Sequence, residues 1–457
     1  MALDKLPLDL IHIIAQDLSK QSDRHALILS CRRFYELLLP TLYSKVTLFE
    51  PIDDTKWFNF MHTIVQRPKL AEAVRDLYVY SWDVSAATDN FHCDPNLISQ
   101  LLDEINQPDD ERDEWEEDAQ DGVCDAWLGL ILPRLTNLRS IVVVLPYGSA
   151  YFHQILRKAA LGDVRAFSKL EAAYITWYGE RGAVASPYLM SFLHFPSMRR
   201  LGGSRIAEYD PTSTELFTGE MDELPLIESS GITHIEFQRS NNTEDGMLHL
   251  IGSCKALRSF RLGYGGVMTS DDDFHPRALV ESLKRHKTSL ERLWVEIDCE
   301  DPIDGEDMLI GSLVEFTALK HLHVRLPDLL NFGHFGEGPP RNALKDVLPP
   351  SLDTLYLSWC NPVHLQYLPQ QLDELIQSRR ESQLMKFDIQ DEGEVELTDP
   401  LIEQLRDICS AAGIVFKFVS VQDMDWEARE QYRQSTWPLA RNFAESISFV
   451  ADSQPED

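Results

Sequence analysis

The chain has 457 residues, 44% of them hydrophobic and 10% aromatic, which is enough to bury a large core and too many for bulk disorder. Asp and Glu number 74 against 42 Lys and Arg, and the resulting net charge of −32 excludes nucleic acid and anionic membrane as general partners. Seven scattered cysteines (Cys31, Cys93, Cys124, Cys254, Cys299, Cys360 and Cys409) form no C-x-x-C pair. They exclude a disulfide framework or structural zinc site and fit a reducing compartment, cytoplasmic or nuclear. No apolar run approaches the roughly 20 residues that span a bilayer. Asp4 and Asp9 interrupt the apolar start of the chain, against a secretory leader.

In chain order, the first predicted elements are three short helices. Pro7 suits a first helical turn, where its missing N–H costs nothing. Leu10, Ile14 and Leu18 recur every four residues with Ile11 beside them, giving one apolar helical face. Ser22 or Asp23 can cap a second helix holding Ala26, Leu27 and Leu29, and a third runs from about Cys31 to Leu39 and stops at Pro40. A unit this small buries too little surface to be stable alone, so the following domain or a partner must cover it.

An L-x-x-L-x-L spacing then recurs. It is weak at Tyr43/Val46/Leu48 and Val74/Leu77/Val79, clear at Leu138/Ile141/Val143 and Leu170/Ala173/Ile175, and degenerate at Met198/Leu201/Gly203. It returns at Ile232/Ile235/Phe237, Leu257/Phe260/Leu262, Leu290/Leu293/Val295, Leu319/Leu322/Val324, Leu352/Leu355/Leu357 and Leu384/Phe387/Ile389. In each copy the last two apolar positions alternate along a strand toward the core, and the first caps that layer from the preceding turn. Helical patterns such as HPRALVESLKRH and DELIQSRR lie between copies. Strand, helix, strand at a period of about 25–34 residues predicts a stacked parallel sheet with helices outside.

The interval from Leu77 to Ile141 is about double, and the acidic QPDDERDEWEEDAQD fills it. The spacing predicts a disguised repeat or an insertion over 103–125. Asp109–Asp121 lacks the ligand spacing and central Gly of a calcium loop and reads as a solvated, mobile insertion. After Phe418 the pattern ends, and Trp426–Arg433, Trp437, Phe443, Ile447 and Phe449 suggest a terminal cap before a disordered tail.

The opening LPLDLIHIIAQDL…SDRHALILSCRRFYELLLPTLYSKVTL resembles an F-box. The resemblance rests on Leu6-Pro7, the acidic Asp9, the spaced Leu10, Ile14, Leu18 and Leu27, and Cys31-Arg32-Arg33-Phe34. The family usually has Trp near Phe34. LYSKVTL resembles the first strand of fungal F-box proteins with leucine-rich repeats. The likeness is close over the opening stretch and architectural beyond it. It implies an α/β chain: a three-helix F-box over 1–50, an irregular leucine-rich-repeat solenoid over 51–420, and a C-terminal cap and tail over 421–457. It also implies docking on a Skp-type adaptor through Leu6, Pro7, Leu10, Ile11, Ile14, Leu18, Leu27, Cys31 and Phe34. Through that adaptor the chain would join a cullin-RING ligase as the non-catalytic substrate-recognition subunit of an SCF-type E3. The competing readings are an F-box protein that binds the adaptor for another purpose, such as scaffolding or self-turnover, and a plain non-catalytic leucine-rich-repeat interaction protein, acting outside ubiquitin ligation, whose N-terminus is only a cap.

Residues between the inward pair on each strand face the opposite, concave side. Those singled out are Tyr174, His234, Arg261, Arg292, Trp294, His321, His323, Arg325 and Tyr356, with Trp177 and Trp359 just past their strands. Aromatic and Arg side chains are typical interface anchors, and Arg forks suit carboxylates and phosphates. A client protein with an acidic or phosphorylated segment is the expected occupant. His321-x-His323 supplies only two ligands for zinc, and GYGG at Gly263–Gly266 lacks the Lys-Ser/Thr of a phosphate loop. Neither G-x-S-x-G nor H-E-x-x-H occurs. No metal, cofactor or intrinsic catalysis is expected.

Overall fold

In the computed structural model of the protein, the described residues are 6–18, 21–48, 55–80, 93–107, 109–146, 148–177, 182–208, 229–264, 275–297, 309–332, 338–378, 384–391 and 399–420. They belong to two units, Met1–Tyr178 with His194–Met198, and Gly179–Leu193 with Arg199–Asp457. The cap and tail expected over 421–457 lie outside the described residues. No described helix is long and apolar enough to cross a membrane.

The first unit opens with α1 (Leu8–Asp17), α2 (Gln21–Leu29) and α3 (Arg32–Leu42). Pro7 occupies the N-cap of α1. Pro40, expected to stop the third helix, lies inside α3, which runs on to Leu42. In the last turn it removes one i→i−4 hydrogen bond and leaves the preceding turns intact. Then come β1 (Lys45–Leu48), α4 (Thr55–Gln66), α5 (Pro68–Ala71), β2 (Asp76–Val79), α6 (Pro95–Glu104), α7 (Asp109–Gln120), α8 (Cys124–Ile131), β3 (Ser140–Leu145), α9 (Tyr151–Leu161) and β4 (Ala172–Trp177). Strands β1 to β4 pair in parallel in chain order. The register stacks Val46, Leu77, Ile141 and Ala173 in one buried column and Leu48, Val79, Val143 and Ile175 in the next. These are the positions the repeat spacing selects.

Because β2 pairs directly with β3, the doubled interval is an insertion, and its described part is helical. The acidic stretch expected to be mobile is the ordered helix α7. Trp115 and Ala119, four residues apart, are buried on its inner face. Trp115 Nε1 donates to Ala126 O at 3.0 Å, and Trp127 Nε1 of α8 donates back to Ala119 O at 2.8 Å. Arg112 Nη1 reaches Asp103 Oδ1 of α6 at 2.7 Å. The carboxylates keep the outer face in water while one tryptophan anchors the other.

The second unit begins with β5 (Val184–Ala185), α10 (Pro187–Met190), β6 (Arg200–Ser204), β7 (Ile206–Ala207) and β8 (His234–Gln238). It continues through α11 (Leu248–Gly252), β9 (Ser259–Tyr264), α12 (Pro276–Leu283), β10 (Arg292–Ile297), β11 (His321–Arg325), α13 (Leu326–Leu329) and α14 (Leu344–Val347). It ends with β12 (Thr354–Ser358), α15 (Pro362–Leu365), α16 (Leu368–Ser378), β13 (Lys386–Asp391), α17 (Pro400–Ala411) and β14 (Val415–Ser420). Strands β5 and β7 pair separately. The other eight form a parallel ladder in chain order. Leu201, Ile235, Phe260, Leu293, Leu322, Leu355 and Phe387 make one buried column. Each fully buried aliphatic or aromatic side chain in such a column contributes about 1.5–3 kcal/mol. Strand β14 escapes the repeat spacing because Gly413 stands at its leucine position, yet Phe416 and Phe418 continue the columns.

Candidate functional site

The three N-terminal helices close a small core of their own. Ile11 and Ala15 of α1, Ile28 of α2, and Phe34 and Leu38 of α3 are buried together, with Leu6, Leu27, Cys31, Leu37 and Leu42 against them. Arg24 Nε donates to Leu18 O at 2.7 Å and Arg33 Nη2 to Leu6 O at 3.1 Å, tying α2 and α3 to the ends of α1.

The residues expected to meet an adaptor therefore separate into groups. Ile11 and Phe34 are core residues of the helices themselves, which corrects their placement on a docking surface. Leu6, Ile14, Leu18, Leu27 and Cys31 are half-buried, whereas Pro7 and Leu10 are exposed. Leu8, Ile13, Leu29 and Tyr35 lie outside the set read from the motif, and with Leu10 they are 40% to 63% exposed. Helical spacing carried that signal: Leu10 and Ile13 are three residues apart on the face opposite Ile11 and Ala15.

In the second unit, the residues between the inward columns form rows across the strands. The central row runs Glu236, Arg261, Trp294, His323, Tyr356, Asp388. Arg261 Nη1 donates to Glu236 Oε1 at 2.8 Å, and its guanidinium lies 3.9 Å over the Trp294 ring. Trp294 stacks on His323 at 3.9 Å and 9°, and His323 on Tyr356 at 4.0 Å and 19°. Tyr356 Oη donates to Gln390 Oε1, and Lys386 Nζ lies 2.5 Å from Asp388 Oδ2. Strands about 4.8 Å apart bring flat groups in one register almost to stacking distance. Each ring–ring or cation–ring contact then contributes about 0.5–2 kcal/mol.

This row corrects the sequence reading. Arg261, Trp294, His323 and Tyr356, expected as open client contacts, are closed from solvent, as are Tyr174 on β4 and Arg325. In the central row the reason is partners within the chain, and Arg325 repeats it. Its Nη1 donates to Ile297 O at 2.6 Å, its Nε lies 3.5 Å from Asp328 Oδ2, and its guanidinium sits 4.1 Å over Trp359. Trp359 takes a left-handed φ of 56°, unusual for a bulky residue. Burial pushes the Asp328 carboxyl up to about 7, with Arg325 pulling it down and Glu296 pushing it further up.

Trp177, His234, Arg292, His321 and Trp359 remain half-exposed. Three of them start strands of the second unit. Burial pulls the His234 imidazole down to about 4, helped by Arg200, Arg292 and Arg258. Burial, then Arg292, lowers His321. Permanent cations therefore surround imidazoles that stay neutral at pH 7. Among the described residues no group of three His, Cys, Asp or Glu side chains is placed to hold a metal ion.

A scan against protein families matches residues 55–422 to the leucine-rich repeat domain. The chain belongs to that family. The matched segment starts after α1–α3 and takes in the ladder strands from β2 to β14. A search of curated proteins finds no match. As a leucine-rich repeat protein, the chain has an architecture suited to protein interaction.

Proposed function

We propose that the chain is the substrate-recognition subunit of an SCF-type ubiquitin ligase. Helices α1–α3 act as its F-box and dock a Skp-type adaptor, and the repeats hold a client protein. The observation that carries the reading is the two-faced α1. Ile11 and Ala15 already fill a core, yet Leu10 and Ile13 stay in water on the other side. Among the described residues, five of the eleven exposed large apolar side chains lie between Leu8 and Tyr35. Such clustering marks an interaction face. Covering each on binding contributes on the order of 1 kcal/mol.

On this reading the chain transfers no group itself and needs no cofactor. The adaptor links it to a cullin-RING ligase, which supplies the chemistry in the cytoplasm or nucleus. Co-expression with a Skp-type adaptor tests the proposal. The intact chain co-elutes with the adaptor in size-exclusion chromatography, and the Leu10→Asp/Ile13→Asp variant elutes alone. An intact chain that ignores the adaptor overturns the proposal. Adaptor binding without cullin recruitment would favour a scaffold outside ubiquitin ligation.

A further inference from the structure

We infer that the strand starts of the second unit form a binding row for an extended acidic segment of another protein, with Arg200 and Arg292 taking two carboxylates four residues apart. This deepens the client-binding half of the proposed function and makes no use of the adaptor half.

The row is Arg200, His234, Ser259, Arg292, His321, adjacent by register on β6, β8, β9, β10 and β11. Each residue precedes an inward column residue by one, so all face away from the hydrophobic core. The second observation is where the charges are spent. Arg261, Arg325 and Arg258 lie beside Glu236, Asp328 and Glu291. Arg200 and Arg292 make no ion pair and no side-chain hydrogen bond among the described residues, in a chain with 74 acidic side chains. Two guanidiniums without carboxylates in so acidic a molecule are a surplus that an anion from outside can take. Between them the buried Ser259 hydroxyl has no hydrogen-bond partner among the described residues. The neighbouring acids are few: Glu291 lies 4.0 Å from Arg258, and Asp353 acts on His321.

Geometry sets the spacing. Arg200 and Arg292 are three strand steps apart, about 14 Å at ~4.8 Å per step. An extended peptide rises about 3.4 Å per residue, so about four residues cover that span, and residues four apart share one face. The fitting segment is acid-x-x-x-acid, extended and lying across the strands.

The probe is a short, fluorescently labelled Gly/Ser peptide carrying two Glu residues four apart, titrated by anisotropy against the full chain. The expected result is binding at least about tenfold tighter than for two control peptides, one with Gln at both positions and one with Glu three apart. The second control points one carboxylate away from the row. Added salt weakens the preference, Arg200→Ala/Arg292→Ala abolishes it, and the charge-conserving Arg200→Lys/Arg292→Lys keeps it. Equal binding of Glu and Gln peptides, or a preference unchanged in the alanine variant, overturns the inference. Binding confined to a phosphoserine version overturns the carboxylate assignment. Loss of adaptor co-elution with the peptide preference intact would sink only the receptor reading.

Discussion

The N-terminal helices and the central row of the second unit dispose of surplus side chains in opposite ways. Three short helices carry more aliphatics than one small core can hold, so Leu8, Leu10 and Ile13 remain in water. A ladder adds a neighbour about 4.8 Å away with every strand, so a charge or ring in register finds a partner. Glu236, Arg261, Trp294, His323 and Tyr356 therefore disappear into one another, although each alone looks like a contact residue. Apolar surface left over in the helices, against charge paired off in the row, separates a docking face from an internal strut.

The sharpest break of that contrast removes a member of the strut. Trp294→Ala deletes the ring between Arg261 and His323 and destabilises the second unit by about 3–5 kcal/mol. Glu236→Ala leaves Arg261 buried without its carboxylate and costs about the same. Urea denaturation followed by far-UV circular dichroism measures both. A loss under about 1 kcal/mol in either would show that the row is solvated rather than packed.

Next comes the docking face. Leu10→Asp/Ile13→Asp lowers adaptor affinity about 100-fold while leaving stability within about 1 kcal/mol, because both side chains start exposed. Ile11→Asp, on the buried side of the same helix, melts α1–α3 instead. Calorimetric titration and helix content separate the two outcomes. Similar behaviour of the two variants would erase the distinction between faces.

How much of this was legible in the sequence follows from the same contrast. The repeat spacing located the ladder strands up to β13 because inward residues must be apolar in every copy. It passed over β14, where Gly413 replaces the leucine, and it read α7 as mobile because thirteen mostly acidic residues hide one anchoring Trp115. The strand face was misread for a different reason. Aligning the copies already puts Glu236, Arg261, Trp294, His323 and Tyr356 in one column, but whether a column faces a partner or satisfies itself depends on side-chain reach. The same alignment puts Arg200 and Arg292 in a row with no acid opposite, a signal that only the pairing of the other arginines makes visible.

A smaller test cuts within the strut. Tyr356→Phe keeps the stack on His323 and removes only the donor to Gln390. The expected loss is about 1–2 kcal/mol, the cost of one buried hydrogen bond whose acceptor is left behind. A loss as large as that of Trp294→Ala would mean that the phenol, and not the rings, carries the row.

The smallest effect is a pH dependence set beside the strut, at Asp328. Burial raises its carboxyl to about 7 in the folded chain, above the ordinary value of 3.8 that the unfolded chain approaches. Arg325 opposes the shift and Glu296 adds to it. The folded state therefore holds a proton that the unfolded state has already released. Stability from this group is full below about pH 4 and is lost as pH rises through about 7. Between pH 6 and pH 8 the loss is about 1 kcal/mol. Asp328→Asn, neutral in both states, removes that slope, so the difference between the two proteins isolates it from every other titrating group. Urea midpoints at both pH values give the result. Parallel profiles would mean that Arg325, at 3.5 Å, keeps the carboxylate charged and that the ion pair governs the site rather than its burial.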